Sequence, residues 1–259
     1  MDTDSLTIAV AIKHVPVGGA FLRAQDKGLT REGVSHGIDP LNEVAVEWAL
    51  RAREAGMATK VIVVTLGPPS AVDALRRALA MGADEAVLVT DPAFVGADVR
   101  ATARALAAVV QRVEADLLLT GYESLDGSSG AVPAAAAAIL GWPLLSRFGD
   151  GQLDGGALRG SRDLGAGPTR VEVDLPAVVS FVEGHVPPRY PKLKDVMRTR
   201  NAEPTTLTAA DLGIGPAANG ERVIDLREVP MAPKEPTILD LEAGIEALLV
   251  RLTAEANHG

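Results

Sequence analysis

The sequence predicts an α/β fold in which a mostly parallel sheet carries helices on both faces. Apolar runs of strand length alternate with helical patterns along the chain, and this alternation is typical of βαβ units. The composition is 47% hydrophobic but only 3% aromatic, a mixture that suits helices packed closely on a parallel sheet. We also expect an antiparallel extension of the sheet and a C-terminal arm.

The first half of the chain accounts for the parallel part of the predicted sheet. Apolar runs predict strands at residues 7–13, 61–66, 86–89 and 117–120. Helical spacing of apolar residues predicts helices at residues 40–56, 70–80, 98–114 and 131–140. Ser70 is the expected N-cap of the second helix, and Gly82 is its expected end.

The second half predicts the antiparallel extension and the arm. Residues 149–162 are rich in glycine and hairpin-like, residues 171–173 alternate as half-buried strands do, and residues 176–181 are fully apolar. The predicted organisation is an α/β nucleotide-binding-type domain over residues 1–186, a partner-recognition segment with a short helix over residues 187–200, and an arm over residues 201–259 that ends in a helix at residues 238–254.

Composition and charge exclude several classes of function. The net charge of −9 argues against a nucleic-acid partner, because phosphate backbones need concentrated Lys and Arg. The chain has no cysteine, and no two of its four histidines are spaced as a metal pair, so we expect no disulfide and no metal site. No signal peptide and no apolar run of roughly 20 residues is found, so we expect a cytoplasmic protein without membrane insertion.

The strongest local feature is the polar loop that follows the fourth predicted strand. In open α/β sheets ligands bind beyond the carboxyl ends of strands, and a helix N-terminus suits a phosphate. Gly127 and Gly130 let the backbone approach a ligand closely, and Ser128 and Ser129 offer hydroxyl groups. The alternative is a capped helix with one of these serines as N-cap. The loop matches neither a Walker loop nor a G-x-G-x-x-G fingerprint.

The pair Asp39-Pro40 is a second candidate site. Its simplest interpretation is an N-cap aspartate followed by proline at the first helical position. A functional interpretation requires that this helix start lie beside the ends of the first and fourth strands. A doubly wound parallel sheet would bring it there, at a topological switch point.

The segment 187–200, which we call the docking segment, is the third candidate. It holds prolines, Tyr190 and Leu193 among basic residues. An exposed connector is one interpretation; the other is an apolar anchor, Leu193, displayed to an acidic partner. No catalytic group stands out, since the chain has no G-x-S-x-G elbow and no acid pair at a telling spacing. This favours a binder or carrier over a hydrolase.

Six ordered segments resemble the beta subunit of electron-transfer flavoproteins. They are AIKHV at 11–15, GVSHGIDPLNEVAVEWAL at 33–50, ALAMGADEAVLV at 78–89, DGSSGAVPAAAAAILGWP at 126–143, LPAVVSF at 175–181 and PPRYPKLKDVMRTR at 187–200. Together they span almost the whole chain in the order and spacing of the family.

The resemblance implies a Rossmann-like fold and a heterodimer with an alpha subunit that holds most of an FAD. It implies a carrier of electrons from flavin-dependent dehydrogenases to a quinone oxidoreductase or another acceptor, with AMP, or a second FAD in bifurcating relatives, bound to the beta subunit. It implies an arm that wraps the alpha subunit, and Tyr190 and Leu193 as partner-docking residues. The implied nucleotide contacts are Ala11, Asp39, Pro40, Leu41, Asn42, Leu66, Asp126, Gly127, Ser128, Ser129, Gly130, Ala131, Val132, Pro133 and Ala134.

Several residues depart from the family pattern, and most of them lie around the implied nucleotide. They are Asp39 and Leu41 in place of Asn and an aromatic residue, Ser128, Ala131 and Pro133 in the loop, and Gly165 and Thr169 near the last strands. Ala131 removes a side-chain hydrogen bond worth about 0.5–1.5 kcal/mol, and Pro133 has no N–H. Two alternatives therefore stand beside the carrier: a nucleotide-binding regulatory module that resembles universal stress proteins, and a scaffold subunit without nucleotide.

Overall fold

The computed structural model describes residues 6–17, 24–25, 28–29, 33–154, 156–183, 186–215, 220–221, 224–225 and 239–256. The chain divides into two compact units, residues 1–226 and residues 227–259. The large sheet and all three candidate sites lie in the first unit. The second unit contributes one described helix.

Thirteen strands and six α-helices are formed by the described residues. The strands are β1 (Thr7–Ala11), β2 (His14–Pro16), β3 (Ala24–Gln25), β4 (Gly28–Leu29), β5 (His36–Ile38), β6 (Lys60–Leu66), β7 (Glu85–Val89), β8 (Leu117–Gly121), β9 (Leu144–Asp154), β10 (Ala157–Asp163), β11 (Pro168–Asp174), β12 (Ala177–Phe181) and β13 (Thr205–Leu207). The helices are α1 (Pro40–Glu54), α2 (Val72–Met81), α3 (Val99–Arg112), α4 (Val132–Leu140), α5 (Leu193–Thr199) and α6 (Leu241–Ala256).

Nine of these strands form one twisted sheet in the order β11-β10-β9-β12-β8-β1-β6-β7-β13. Every neighbouring pair is parallel except those made by β10, which runs antiparallel to both β9 and β11. The predicted Rossmann-like α/β fold with a mostly parallel sheet and an antiparallel extension is therefore confirmed. The long segment before α1 also contains β2 and β5, which pair with each other antiparallel.

The sheet buries both faces, as its apolar runs require. Side chains alternate along a strand, so Ile8 and Val10 of β1 enter one core cluster and Ala9 and Ala11 enter the other. The first cluster also holds residues of α1 and α2, and the second holds residues of α3 and α4. This confirms the helices on both faces and shows why the strands carry few polar residues.

The topology creates a switch point between β1 and β8. From β1 the chain moves through α1 and α2 to β6 and β7 on one side, whereas β8 leads through α4 to β9 on the other. The helices of these two halves lie on opposite faces of the sheet, so the connections that follow β1 and β8 run in opposite directions. The crevice between them, beyond the carboxyl ends of the two strands, is where such folds bind ligands. A Cβ at Gly121 would lie 2.7 Å from the Cβ of Leu41 and from Nδ2 of Asn42. Only glycine there lets α1 begin so close to the end of β8.

The predicted cap of α2 is wrong. Ser70 lies inside a 3₁₀ turn, Pro69–Ala71, and Ala71 precedes α2 without a side-chain capping bond. The rings of Pro68 and Pro69 fix the backbone φ angle at these two residues. The chain therefore forms the 3₁₀ turn before α2 begins. The other end agrees with the sequence, because Gly82 ends α2 with a φ of +127° that suits glycine.

The start of the predicted arm joins the sheet. Thr205 pairs with Val87, so β13 extends the sheet in parallel beyond β7, and Leu207 and Ala209 are buried. These two buried side chains suffice to add an edge strand to an existing sheet. The first compact unit accordingly continues to Leu226.

In the second unit, α6 matches the terminal helix predicted from the sequence. Its exposed side chains include Leu241, Ile245, Leu248 and Leu249. The preceding residues 226–238 lie outside the described part of the chain. Within the described part, no helix has both the length and the apolar character needed to cross a bilayer.

Candidate functional site

The end of β1 and the start of α1 meet at the switch point through the backbone. The N–H of Asp39 donates to the carbonyl of Lys13 at 3.0 Å, and the N–H of Lys13 donates to Oδ1 of Asn42 at 2.7 Å. These bonds are possible because β2 and β5 pair and return the chain to the end of β1. The helix start thus lies where the functional interpretation of Asp39-Pro40 requires it.

Asp39 joins α1 to the loop after β8. Its Oδ1 accepts from the N–H of Leu41 at 3.0 Å, which is the predicted N-cap bond, and its Oδ2 accepts from the N–H of Leu125 at 2.7 Å. The residue is only 1% exposed. Burial raises the pKa of Asp39, the nearby Asp126 adds to the rise, and the two N–H groups and Lys13 oppose it. Both carboxylate oxygens are therefore occupied by the backbone of the site itself.

Lys13 closes the opposite side of the switch point. Its Nζ lies 2.6 Å from Oδ1 of Asp126 and 3.0 Å from Oγ of Ser124. The side chain of Asp126 is only 1% exposed, and that of Lys13 is 42% exposed. Lys13 was not among the residues predicted for the site, although it directly follows the first strand in the segment AIKHV. Its position at a strand end was the available signal.

The loop itself uses its serines internally. Oγ of Ser128 donates to the carbonyl of Ser124 at 3.3 Å, and Oγ of Ser129 accepts from the N–H of Ala131 at 3.4 Å. Neither serine caps α4, because Ala131 occupies the N-cap position without a side-chain bond. The alternative of a serine N-cap is therefore wrong, and the loop instead winds through positive φ at Ser128 and Gly130.

The start of α4 leaves backbone donors available. The first N–H groups of a helix have no intrahelical acceptor, and Pro133 in the first turn contributes none. Val132 and Ala134 supply the remaining N–H groups of this turn. Thr120 of β8 is 5% exposed, and its Oγ1 has no hydrogen-bond partner among the described residues. Alternation along β8 directs Thr120 to the face that carries α4.

The predicted nucleotide residues lie on several elements at one edge of the sheet. Ala11 ends β1, Leu66 ends β6, and both belong to the core on the α3 and α4 face. The remaining predicted contacts lie in the first turn of α1 and in the loop and first turn before and within α4; they are Asp39, Pro40, Leu41, Asn42, Asp126, Gly127, Ser128, Ser129, Gly130, Ala131, Val132, Pro133 and Ala134. Within the described ranges, no cluster of three or more His, Cys, Asp or Glu could hold a metal ion.

The docking segment is a separate surface. Tyr190 is 89% exposed and Leu193 is 77% exposed, and Met197 beyond them is also exposed. Leu193 begins α5, and the carbonyl of Ala202 after this helix accepts from Nε of Arg76 on α2 at 3.0 Å. Apolar side chains are thus displayed on an element whose other side is held to the domain.

An ion-pair cluster fixes the start of the docking segment to α1. Nε of Arg189 lies 2.7 Å from Oε2 of Glu47, and its Nη1 lies 2.5 Å from Oε1 of Glu54. The side chain of Glu47 is 3% exposed, and it also accepts from Nε of Arg51 at 2.7 Å. Burial alone would raise the pKa of Glu47, but the hydrogen bonds from Arg189 and Arg51 outweigh it and hold this pKa below its ordinary value.

Replacing Glu47 by Gln should destabilise the protein in a pH-dependent way. At about pH 7 we expect a loss of about 2 kcal/mol, because Arg189 loses its buried partner. The lowered pKa of Glu47 means that its stabilisation is complete above the ordinary value of 4.5 and is lost as pH falls through the lowered value. The difference between the wild-type chain and Glu47→Gln, measured by denaturant unfolding, should therefore shrink on acidification.

Glu54→Gln is the matched control for this prediction. Its side chain is 51% exposed, so the same loss of a carboxylate should cost less than about 1 kcal/mol. Equal losses for the two variants, or a difference for Glu47→Gln that stays constant with pH, would contradict the role given to the buried carboxylate.

Comparison with known proteins agrees with this geometry. Residues 27–212 match the electron transfer flavoprotein domain family. The chain is 40% identical over 214 residues to the electron transfer flavoprotein subunit beta of Mycobacterium tuberculosis, covering 80% of each chain. It is 36% identical over 260 residues to that of Mycobacterium leprae, covering 96% of this chain and 98% of the relative.

A third relative comes from a different assembly. The chain is 34% identical over 217 residues to a subunit of the caffeyl-CoA reductase–Etf complex of Acetobacterium woodii, covering 83% of each chain. The match to the domain family and these identities over most of the chain agree with the fold and with the order of the motifs. The chain therefore belongs to the electron transfer flavoprotein family and has a role in electron transfer.

Proposed function

We propose that this chain is the beta subunit of a heterodimeric electron-transfer flavoprotein that carries electrons and performs no substrate chemistry of its own. The observation that carries the proposal is the similarity, at 34% to 40% identity over most of the chain, to proteins named as beta subunits or as part of an Etf complex. The electrons would come from a flavin-dependent dehydrogenase and pass to a quinone oxidoreductase or another acceptor.

The exposed apolar side chains of α6 support the alpha subunit as the partner. Leu241, Ile245, Leu248 and Leu249 of this one helix are each more than half exposed. An exposed apolar helix of this kind gains free energy when a partner covers it. In this family a beta subunit pairs with an alpha subunit, which is therefore the proposed partner.

An FAD shared with the alpha subunit would supply the redox chemistry. The switch point suits a contact with such a cofactor, because the first turn of α1 presents Leu41 next to Gly121 and is held rigidly by Asp39. In this arrangement the role of the chain is to position and shield the FAD. Its own residues bind and orient the cofactor, and they do not react.

A nucleotide, AMP or a second FAD, fits the other side of the switch point. The fit rests on three observations of this structure: the unpaired, buried Oγ1 of Thr120, the N–H groups of the first turn of α4, and the glycine at position 130. The N–H groups of Val132 and Ala134 would hold a phosphoryl group. The hydroxyl of Thr120 offers a polar partner beneath it.

Gly130→Asp should remove bound nucleotide from the purified protein. Gly130 has a φ of +58°, and a carboxylate there would stand at the N-terminus of α4, where it repels a phosphoryl group. Extraction and chromatography of the released nucleotide measure the effect. We expect AMP or FAD from the wild-type chain and none, or less than about a tenth, from the variant.

Gly141→Asp is the control for that experiment. Gly141 has a φ of +69°, lies at the other end of α4 and has open space around it, so it imposes the same backbone strain and charge away from the site. Nucleotide content that falls equally in both variants, or stays unchanged in Gly130→Asp, would refute phosphoryl binding at this helix start.

Leu193→Ala should slow reduction by the partner dehydrogenase and leave flavin content unchanged. Removing a centrally exposed leucine from a docking surface costs about 1–2 kcal/mol of binding, or about tenfold in affinity. Stopped-flow reduction of the bound flavin at limiting dehydrogenase measures the change. Val95→Ala removes an apolar side chain that is 82% exposed outside the docking segment, and its rate should match the wild type; equal slowing of both variants would contradict the proposed docking role.

A further inference from the structure

Arg147 has an unusual backbone conformation. It lies on β9, toward the same end of the parallel strands as the switch point. The pairing of β9 with β12 shifts here, so that residues 146 and 147 both stand opposite Ser180. Its φ is +57°, a conformation that residues with a side chain rarely adopt. Its N–H donates to Oγ of the fully buried Ser180 at 3.2 Å, which fixes the bulge and the origin of the side chain.

Among the residues that the structure describes, the guanidinium of Arg147 has an aromatic neighbour but no anionic one. Its Cζ lies 4.8 Å from the centre of the Tyr122 ring. Its Nε is buried without a hydrogen-bond partner, and the side chain makes no hydrogen bond or ion pair with any residue in the described ranges. A guanidinium carries five N–H donors, and a partly buried cation without a counter-charge is unfavourable. The surroundings therefore lack the anion that this side chain is suited to bind.

Tyr122 connects Arg147 to the loop that precedes α4. Tyr122 directly follows β8, and a Cβ at Gly130 would lie 3.4 Å from Cζ of its ring. Gly130 in turn stands two positions before Val132, the first residue of α4. Through Tyr122, the stacked guanidinium is thus linked to the loop that leads into α4, whose first-turn N–H groups favour a negative charge.

The other cation of the site is already neutralised. Lys13 is paired with Asp126 at 2.6 Å, and Asp39 adds a second buried carboxylate close by. Without Arg147, the charged side chains at the switch point would therefore give little attraction for an anionic ligand. An arginine is well suited to the task, because its planar fork binds phosphoryl oxygens in pairs while one face stacks on an aromatic ring.

We propose that Arg147, held in place by Tyr122 and Ser180, is an anion-binding residue that contacts a phosphoryl group of the bound nucleotide. This inference rests on the nucleotide site of the proposed function and adds to it the residue that supplies the positive charge. The chemistry recognised is the phosphoryl group, which AMP, the pyrophosphate of FAD and free inorganic phosphate share.

Calorimetric titration of the full chain with AMP, adenosine, FAD and inorganic phosphate tests the proposal. Arg147→Gln should weaken AMP about tenfold, the size of a charge-assisted hydrogen-bond pair, and leave adenosine unchanged. Arg147→Lys keeps the charge but loses the planar fork, so its AMP affinity should fall between the two. If Arg147→Gln weakens the binding of FAD as much as that of AMP, the pyrophosphate of FAD lies at Arg147. Inorganic phosphate that competes with AMP in the wild type but not in the variant supports the same contact.

Arg159→Gln is the matched control. This arginine lies on β10, where Asp154 and Glu172 already neutralise it, so its removal should leave AMP affinity unchanged. AMP affinity that is equal in Arg147→Gln and the wild type overturns the role of Arg147 while the nucleotide site itself stands. Equal weakening of AMP and adenosine also overturns it, because Arg147 would then act only by supporting Tyr122.

Two further outcomes separate the inference from its premise. A wild-type chain that binds neither AMP nor FAD refutes the nucleotide site and the role of Arg147 together. If circular dichroism shows that Arg147→Gln is unfolded, the proposal is tested instead by the AMP affinity of Arg147→Lys and by the salt dependence of binding to the wild type. AMP affinity in the wild type should then fall with ionic strength while adenosine affinity does not; equal salt dependence of the two ligands overturns the proposal.

Discussion

The carboxylate of Asp39 is the contact on which the geometry of the site depends. One oxygen caps α1 and the other accepts from the N–H of Leu125, so a single buried side chain fixes the helix start and the loop after β8 relative to each other. Gly121 is the steric counterpart, since a side chain there would push α1 away. The family-type asparagine offers one carbonyl oxygen, whereas the aspartate accepts from two N–H groups.

The same helix also contacts the docking segment. Two turns after Asp39, Glu47 holds Arg189 and with it the beginning of the docking segment. The two ends of a regular helix have fixed relative positions. Helix α1 therefore positions both the switch point and the segment that displays Leu193. This arrangement suits an electron carrier, which has to present a docking surface at a fixed distance from its cofactor. The switch point and the docking segment both lie in the compact first unit, and the exposed apolar side chains of α6 are the proposed contact with the alpha subunit.

Periodicity in the sequence was sufficient to predict the core strands, the helices and the antiparallel hairpin, because these follow from local apolar spacing. It did not predict β13, whose partner β7 lies far away in sequence, nor the use of Ser70, Ser128 and Ser129 within turns instead of as caps. Lys13 and Arg147 were missed for the same reason. Their roles arise from partners on other strands, and spacing along the chain does not report such contacts.

We propose above that this chain works as the beta half of a flavin-carrying heterodimer. The most direct measurement is co-expression with an alpha-type subunit, followed by purification on a tag placed on one chain and a visible absorption spectrum of the complex. We expect both chains to elute together and the complex to be yellow, with flavin bands that bleach on reduction. A chain that purifies alone, or a complex without flavin absorbance, would contradict it.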